Sequence, residues 1–320
     1  MRLALVSQEL RSLLLESFGK EDYLESFPQV FGRTAIAQHF EVHSNGKLAA
    51  FAASIPFHWH AQGQRITGHC VGSVCSHPEF RGKGFALKAI VSAEIYARNV
   101  GADFIFLFSD LDEFYKKAGY SSYGDETFAP LAVAPEATAV AKKNLKQLIR
   151  LADIAGPTTQ NIYHHTQTSS TTEIPASTLA AIWNFVEQHS HKSENSMSFS
   201  EFLTLMTIPN VEIHWLEKNG VFQSLLFIGK GADFTNVAHS VSALGNSALA
   251  NLLSLFFQAT PQRQLLLMIP PALQSIGSQL ATAGTPAFYA KQLVASGLRA
   301  DLIRAVLLNN NLYPRTFQSI

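Results

Sequence analysis

A chain of 320 residues is longer than one ordinary compact domain and suits two, each able to bury its own core. With 47% hydrophobic residues it has the make-up of a globular protein, and its 24 Lys and Arg balance its 24 Asp and Glu, so nothing general draws it to nucleic acid or to an anionic membrane surface. Two cysteines, Cys70 and Cys75, exclude a disulfide framework and suit a reducing compartment; five residues apart on one predicted strand, they are expected on opposite faces.

The apolar start, Met1 to Val6, is cut by Gln8, Glu9 and Arg11, too soon for a signal peptide. No later run approaches the ~20 apolar residues that span a bilayer. A soluble, cytoplasmic protein without membrane or nucleic-acid partners is expected. Leucines and phenylalanines at helical spacing predict helices over Gln8 to Phe18 and Glu21 to Phe31. Ile36 to Val42 alternates as a strand, Asn45-Gly46 is a hairpin turn, and Leu48 to Trp59 is the returning strand, with a bend or bulge expected at Pro56. Ile66 to Ser76 is a further strand. Phe85 to Asn99 is an amphipathic helix, and Asp103 to Phe108 is apolar enough for a strand buried on both faces. A helix from Leu111 to Ala118 and an extended stretch from Tyr120 to Val133 complete this half.

Pro135 to Ala155 reads as helical, and the turn-like residues around Gly156-Pro157 and from Thr166 to Thr172 as loops. The second half then repeats the order of the first. Helices are predicted over Ala176 to Gln188 and Phe199 to Thr207, a strand over Val211 to Leu216 and a hairpin turn at Asn219-Gly220. Strands from Val221 to Ile228 and Phe234 to Val241 follow, then a helix from Asn246 to Gln258 and a strand from Gln264 to Ile269. The correspondence is one of pattern, and an internal duplication is its economical source. The expected division is residues 1–134, a partly helical linker over 135–160, and residues 161–320.

The two halves differ most at one turn. In the first, Val71-Gly-Ser-Val-Cys-Ser-His-Pro-Glu-Phe-Arg81-Gly-Lys-Gly84-Phe-Ala86-Leu leads from a strand into a helix. Unpaired amides at a helix N-terminus bind phosphate, glycines at 82 and 84 let the backbone approach it, and Arg81 and Lys83 add cations. A nucleotide P-loop is disfavoured because Gly84, rather than Ser or Thr, follows Lys83, and a dinucleotide fingerprint lacks its first glycine pair. The matching turn in the second half, Ala243 to Ala248, has neither the glycine pattern nor a nearby cation.

Arg81, Gly84 and Ala86 satisfy the acetyl-CoA signature of the GCN5-related N-acetyltransferase (GNAT) superfamily, and Asp112-Glu-Phe-Tyr115-Lys-Lys-Ala-Gly119-Tyr120 is similar to that family's Phe-Tyr-x-x-x-Gly-aromatic segment. The chain is thus identified as resembling the tandem-repeat type of that superfamily, with a degenerate second repeat. The resemblance implies an α/β (α+β) fold of two tandem GNAT-like domains, each a mixed, largely antiparallel twisted sheet flanked by helices. Residues 1–134 would be the catalytic, acetyl-CoA-binding domain, and residues 161–320 the degenerate domain with a C-terminal tail.

It also implies an acetyl-CoA-dependent N-acetyltransferase whose acceptor is an amine of a small molecule or peptide, without a metal. Backbone groups of Val74, Cys75 and Ser76 would hold the pantetheine arm, and the amides of Gly82, Lys83, Gly84, Phe85, Ala86 and Leu87 the pyrophosphate beside Arg81, with Ser109 also at the coenzyme. Tyr115 would be the general acid. His69, near the start of the pantetheine strand, and the C-terminal carboxylate of Ile320 are candidate bases. His77 and Glu79 read as solvated, and Cys70 and Cys75 as packing residues rather than acyl carriers. His58 and His60 share a strand face without a third metal ligand at a convincing spacing, and His164, His165, His189 and His191 read as loop or helix-end residues. A coenzyme sensor without turnover, another acyl group and a hydroxyl acceptor stay open as alternatives.

Overall fold

The computed structural model describes residues 6–61, 64–125, 128–132, 161–166, 174–189, 195–231, 234, 236–259, 264–268 and 287–292. The helix expected over Pro135 to Ala155, the linker over 135–160 and Ile320 lie outside them. The chain forms two compact units, each assembled from separated stretches: Met1–Asp125, Lys192–Ile208 and Pro286–Ile320 in the first, Glu126–His191 and Pro209–Thr285 in the second.

The first unit opens with α1 (Gln8–Phe18), started by Ser7, whose hydroxyl accepts the Leu10 N–H at 3.1 Å, and burying Leu10, Leu13 and Leu14. The single helix expected from Glu21 to Phe31 is instead two turns, α2 (Tyr23–Ser26) and α3 (Pro28–Phe31). Pro28 is the cause: it disfavours helical geometry at the residue before it, and Phe27 sits at φ −125° and ψ 63°.

Strands β1 (Gln38–Ser44) and β2 (Lys47–Ala61) form an antiparallel hairpin turned by Asn45 and Gly46, both at positive φ. β3 (Gln64–Ser76) pairs antiparallel with β2, α4 (Phe85–Asn99) follows, and β4 (Phe104–Ser109) returns parallel to β3. Asp103 fastens the start of that parallel pair, accepting the Thr67 N–H at 2.9 Å while its own N–H donates to the Thr67 carbonyl at 2.8 Å. α5 (Asp112–Lys117) and β5 (Ser121–Asp125) come next. The sheet order is β1-β2-β3-β4-β12-β5, with β12 (Ala287–Gln292) antiparallel to both neighbours. Helices α1 to α3 cover one face through Leu14, Phe31, Phe51 and Cys75; α4 covers the other through Ala89, Ile90, Ala93 and Ala97.

Two expectations fail on β2 and β3. Pro56 makes no bulge: it lies within β2 opposite His69, beyond the last β1 pair at Gln38 and Ser54, where no β1 residue asks for its missing N–H. The irregularity falls on β3 instead. Phe51 pairs with Cys75 and Ala53 with Gly72, so Ser73 and Val74 together oppose Ala52, a bulge with Ser73 at φ 51°. The extra residue reverses the alternation. Cys70, opposite Ile55, and Cys75, opposite Phe51, therefore share a face rather than occupying opposite ones, separated along it by about 13 Å of strand. Both are free and buried.

The second unit is built in the same order. Its described helices are α6 (Ala176–His189) and α8 (Asn246–Ala259). Its sheet runs β6-β11-β10-β9-β8-β7: β6 (Phe128–Ala132), β7 (Asn161–Thr166), β8 (Glu212–Lys218), β9 (Val221–Ile228), β10 (Val237–Ala243) and β11 (Gln264–Met268). β8 to β10 are successively antiparallel, and β10 and β11 are parallel, joined through α8. The β1-β2-β3-α4-β4 order recurs as β8-β9-β10-α8-β11. Even the bulge recurs, since β10 shifts register between Ala238 and Ser240. His164 and His165, expected in a loop, are in β7. The remaining helix, α7 (Phe199–Leu205), belongs to the first unit, where Thr204 Oγ1 meets Thr34 Oγ1 at 2.9 Å and the Ser196 N–H donates to the His58 carbonyl at 2.8 Å.

Candidate active site

The parallel pair of β3 and β4 holds only from Gly68–Phe104 to Cys70–Phe106. Beyond it β4 continues to Ser109 against β12, while β3 bulges at Ser73 and runs on to Ser76 against β2. The two strands therefore part, and among the described residues the β3 edge from Val71 to Ser76 has no ladder partner on the β4 side. Both strands end here, and ligands of α/β sheets bind outside the carboxyl ends of such strands.

From Ser76 the chain makes a 3₁₀ turn over Pro78–Phe80, begun by His77, whose Nδ1 accepts the Glu79 N–H at 3.3 Å. Arg81 to Gly84 then lead into α4. Gly82 at φ 73° and Gly84 at φ 79° take a left-handed conformation that side-chain-bearing residues adopt at a cost, and nothing stands within 4 Å of where a Cβ would be at either. Gly84 caps α4 without any side chain accepting from the first turn, and that turn contains no acidic residue. The first amides of this 15-residue helix have no carbonyl partner within it and follow exposed Arg81 and Lys83. Arg81 Nε donates to the Ser76 carbonyl at 3.4 Å; Lys83 Nζ donates to the Glu79 carbonyl at 2.8 Å and lies 5.4 Å from the Phe80 ring centre. Lys47 pairs with Glu79 at 3.0 Å and holds that carboxyl below its ordinary range. Free helix-start amides, two positive-φ glycines and two cations are the features that suit an anion.

Tyr115, on α5, is buried in the cluster that also contains Val71 and Leu107, with Val74 packed against it. Tyr115 thus lies beside Val71 and Val74 of β3 and, through Ser109, at the end of β4, where the two strands part. Burial, and then the Asp110 carboxylate, push the Tyr115 hydroxyl up to about 12, against a smaller opposing effect of its hydrogen bond with Ser109. Ser109 Oγ also accepts the Leu111 N–H at 3.0 Å. Burial pushes the Cys75 thiol up to about 12 too, leaving it a packing group at neutral pH.

His69 lies within the stretch where β3 and β4 are still paired, opposite Ile105 and Pro56. It is buried on the α4 face, with Nδ1 3.0 Å from Ser54 Oγ and its ring edge-on to Tyr96. Burial, with a smaller effect of His58, lowers it to about 4, so it is neutral. His58 Nδ1 meets Thr67 Oγ1 at 3.1 Å, and among the described residues no group of three His, Cys, Asp or Glu side chains stands close enough to hold a metal ion. No described helix is long and apolar enough to cross a membrane.

Residues 7–123, which contain every element of this opening from β3 to α5, match the family model for the acetyltransferase (GNAT) domain. This stretch is a GNAT domain. Solved structures extend the likeness of fold to 91% of the chain. A GCN5-related N-acetyltransferase from Anabaena variabilis superimposes with a TM-score of 0.63 at 12% identity over 72% of its own length. A probable N-acyltransferase from Enterococcus faecalis gives 0.62 at 12% over 72%, and a GCN5-related N-acetyltransferase from Kribbella flavida 0.58 at 13% over 71%. No curated protein matches the chain. The fold is the GNAT acyltransferase fold, with two mixed, twisted sheets flanked by helices. The second unit keeps the strand order and the bulge of the GNAT domain but not its cradle: residues 77–84 separate β3 from α4, whereas only Leu244 and Gly245 separate β10 from α8.

The bulge itself escaped the sequence reading. Ser73 occupies its left-handed position, where a glycine or asparagine would have signalled it. Tyr23, which meets Ser73 there, carries no local signal beyond its place in a predicted helix.

Proposed function

We propose that the GNAT domain, within residues 1–134, binds acetyl-CoA and transfers its acetyl group to an amine of a small molecule or peptide. The observation that carries this reading is the parting of β3 and β4 directly ahead of the glycine-rich entry into α4. An extended polar edge and an anion cradle, joined end to end, match a coenzyme that is itself an extended arm ending in a diphosphate. The fit is steric as well as electrostatic, since the glycines leave their open side clear and among the described residues no side chain caps the first amides of α4.

Acetyl-CoA supplies an activated thioester. In this proposal the amides of Gly82, Lys83, Gly84, Phe85, Ala86 and Leu87 hold the diphosphate, with Arg81 adding charge. The backbone of Val74, Cys75 and Ser76 pairs with the pantetheine arm, and an amide at or beside Cys75 donates to the thioester oxygen, so that the carbonyl carbon is polarised towards a neutral amine. Tyr115 stays protonated across the working pH range and donates its proton as the carbon–sulfur bond breaks, leaving the coenzyme as a neutral thiol. Ser109, which accepts the Leu111 N–H, orients the Tyr115 hydroxyl through their shared hydrogen bond. The amine loses its proton to solvent, because His69 would have to act as a base from a pKa near 4.

Isothermal titration of the whole protein with acetyl-CoA tests the reading. Arg81→Glu combined with Gly84→Asp places two negative charges in the cradle and is expected to weaken binding about a hundredfold while the circular dichroism spectrum is unchanged. Equal affinity in the wild type and the double variant removes the cradle from the coenzyme site.

A further inference from the structure

Tyr23 has no part in the assignments above, yet it touches the feature on which they depend. Its hydroxyl donates to Ser73 Oγ at 3.0 Å, and both residues are buried, 6% and 5% exposed. The Tyr23 ring is stacked on Phe18 at 4.3 Å between centres and 5° between planes, with Phe27 4.8 Å away. Held on two sides, the ring aims its hydroxyl at one place. That place is the left-handed residue of the β3 bulge, where two residues oppose the single Ala52. Serine does not favour this conformation as glycine does, so the bulge needs a tether from outside the strand.

We propose that Tyr23 is a positioning residue: its hydroxyl pins the β3 bulge and so fixes the Val74–Ser76 edge along which the pantetheine arm would lie. The inference rests on the coenzyme reading above. It adds a cause for the parting of β3 and β4, since the ladder between them ends at Cys70 and the pinned bulge begins three residues later. It also separates two tasks in the site. The cradle from Gly82 to Leu87 grips the diphosphate independently of Tyr23, whereas the edge that meets the arm and thioester depends on it.

Tyr23→Phe tests this, since it keeps the stacked ring and removes only the hydroxyl. In full-length protein the protected amides between Ser73 and Ser76 are expected to exchange about tenfold faster, with the β1–β2 hairpin unchanged. Acetyl-CoA affinity by calorimetry is expected to fall roughly three- to tenfold. Ser73→Gly gives the bulge a residue suited to positive φ, so in that background Tyr23→Phe is expected to change neither reading. Unchanged exchange at the bulge, faster exchange spread evenly through the sheet, or a loosened bulge with undiminished acetyl-CoA affinity each overturns the proposal. A wild-type protein that binds no acetyl-CoA strikes instead at the coenzyme reading, and the exchange data then show separately whether the hydroxyl pins the strand.

Discussion

At the scale of single residues, burial decides what each polar group in the GNAT domain can do. Tyr115 and Cys75 are both pushed up to about 12, with opposite consequences. A phenol that stays protonated is a usable proton donor, whereas a thiol that stays protonated is a poor nucleophile. Tyr115→Phe is therefore expected to slow thiol release from acetyl-CoA in the presence of a panel of primary amines by roughly a hundredfold, with coenzyme affinity kept within about twofold. Full activity in this variant would remove Tyr115 from the chemistry. The glycine-rich turn into α4 was legible because positive φ at Gly82 and Gly84 demands that residue type. The bulge was not, because Ser73 is held there by Tyr23, fifty residues away in the chain, and a tertiary hydrogen bond leaves no local mark. His69 shows the same limit: its strand position could be read, but not the Ser54 and Tyr96 partners that make it a neutral core group.

At the scale of elements, periodicity and turn residues located most strands and helices, and the misses share a physical source. α4 and β9 fall where their apolar patterns place them, and Asn45-Gly46 and Asn219-Gly220 both make hairpin turns. The helix expected from Glu21 breaks because one proline acts on its neighbour. β12 was missed because its pairing is set entirely by strands far away in sequence. Side-chain fit across strands was equally hidden. On the face away from α4, Gly68 lies under an aromatic cluster in which Trp59 is 5.4 Å from Phe104 and 5.9 Å from Phe106 between ring centres. A Cβ at Gly68 would stand 2.6 Å from Phe104 Cζ and 2.9 Å from Trp59 Cζ3. Gly68→Ala is thus expected to destabilise the first unit by about 1–3 kcal/mol through overpacking, measured by urea denaturation. A neutral result would mean that the aromatic rings give way freely.

At the scale of the whole molecule, the notable feature is that neither unit is built from one continuous stretch of chain. β12, from late in the sequence, fills the place between β4 and β5, and β6, which follows β5, pairs with β11 in the other sheet. Ser196 bridges His58 on the β2 edge where β1 has ended. A fragment of residues 1–134 would leave β4 and β5 without the strand that joins them, so it is expected to show no cooperative thermal transition while the full chain does. A sharp transition in the fragment would make the exchanged strand dispensable. The duplication was visible in the order of predicted elements, but the crossing of strands was not, because pattern reports what an element is and not which sheet receives it.

The most direct measurement is a crystal structure of the full chain with acetyl-CoA. The diphosphate is expected on the amides between Gly82 and Leu87, with the pantetheine arm running along Val74 to Ser76 and the sulfur beside the Tyr115 hydroxyl. Coenzyme bound elsewhere, or an empty opening between β3 and β4 at saturating acetyl-CoA, would contradict that arrangement and the activity derived from it.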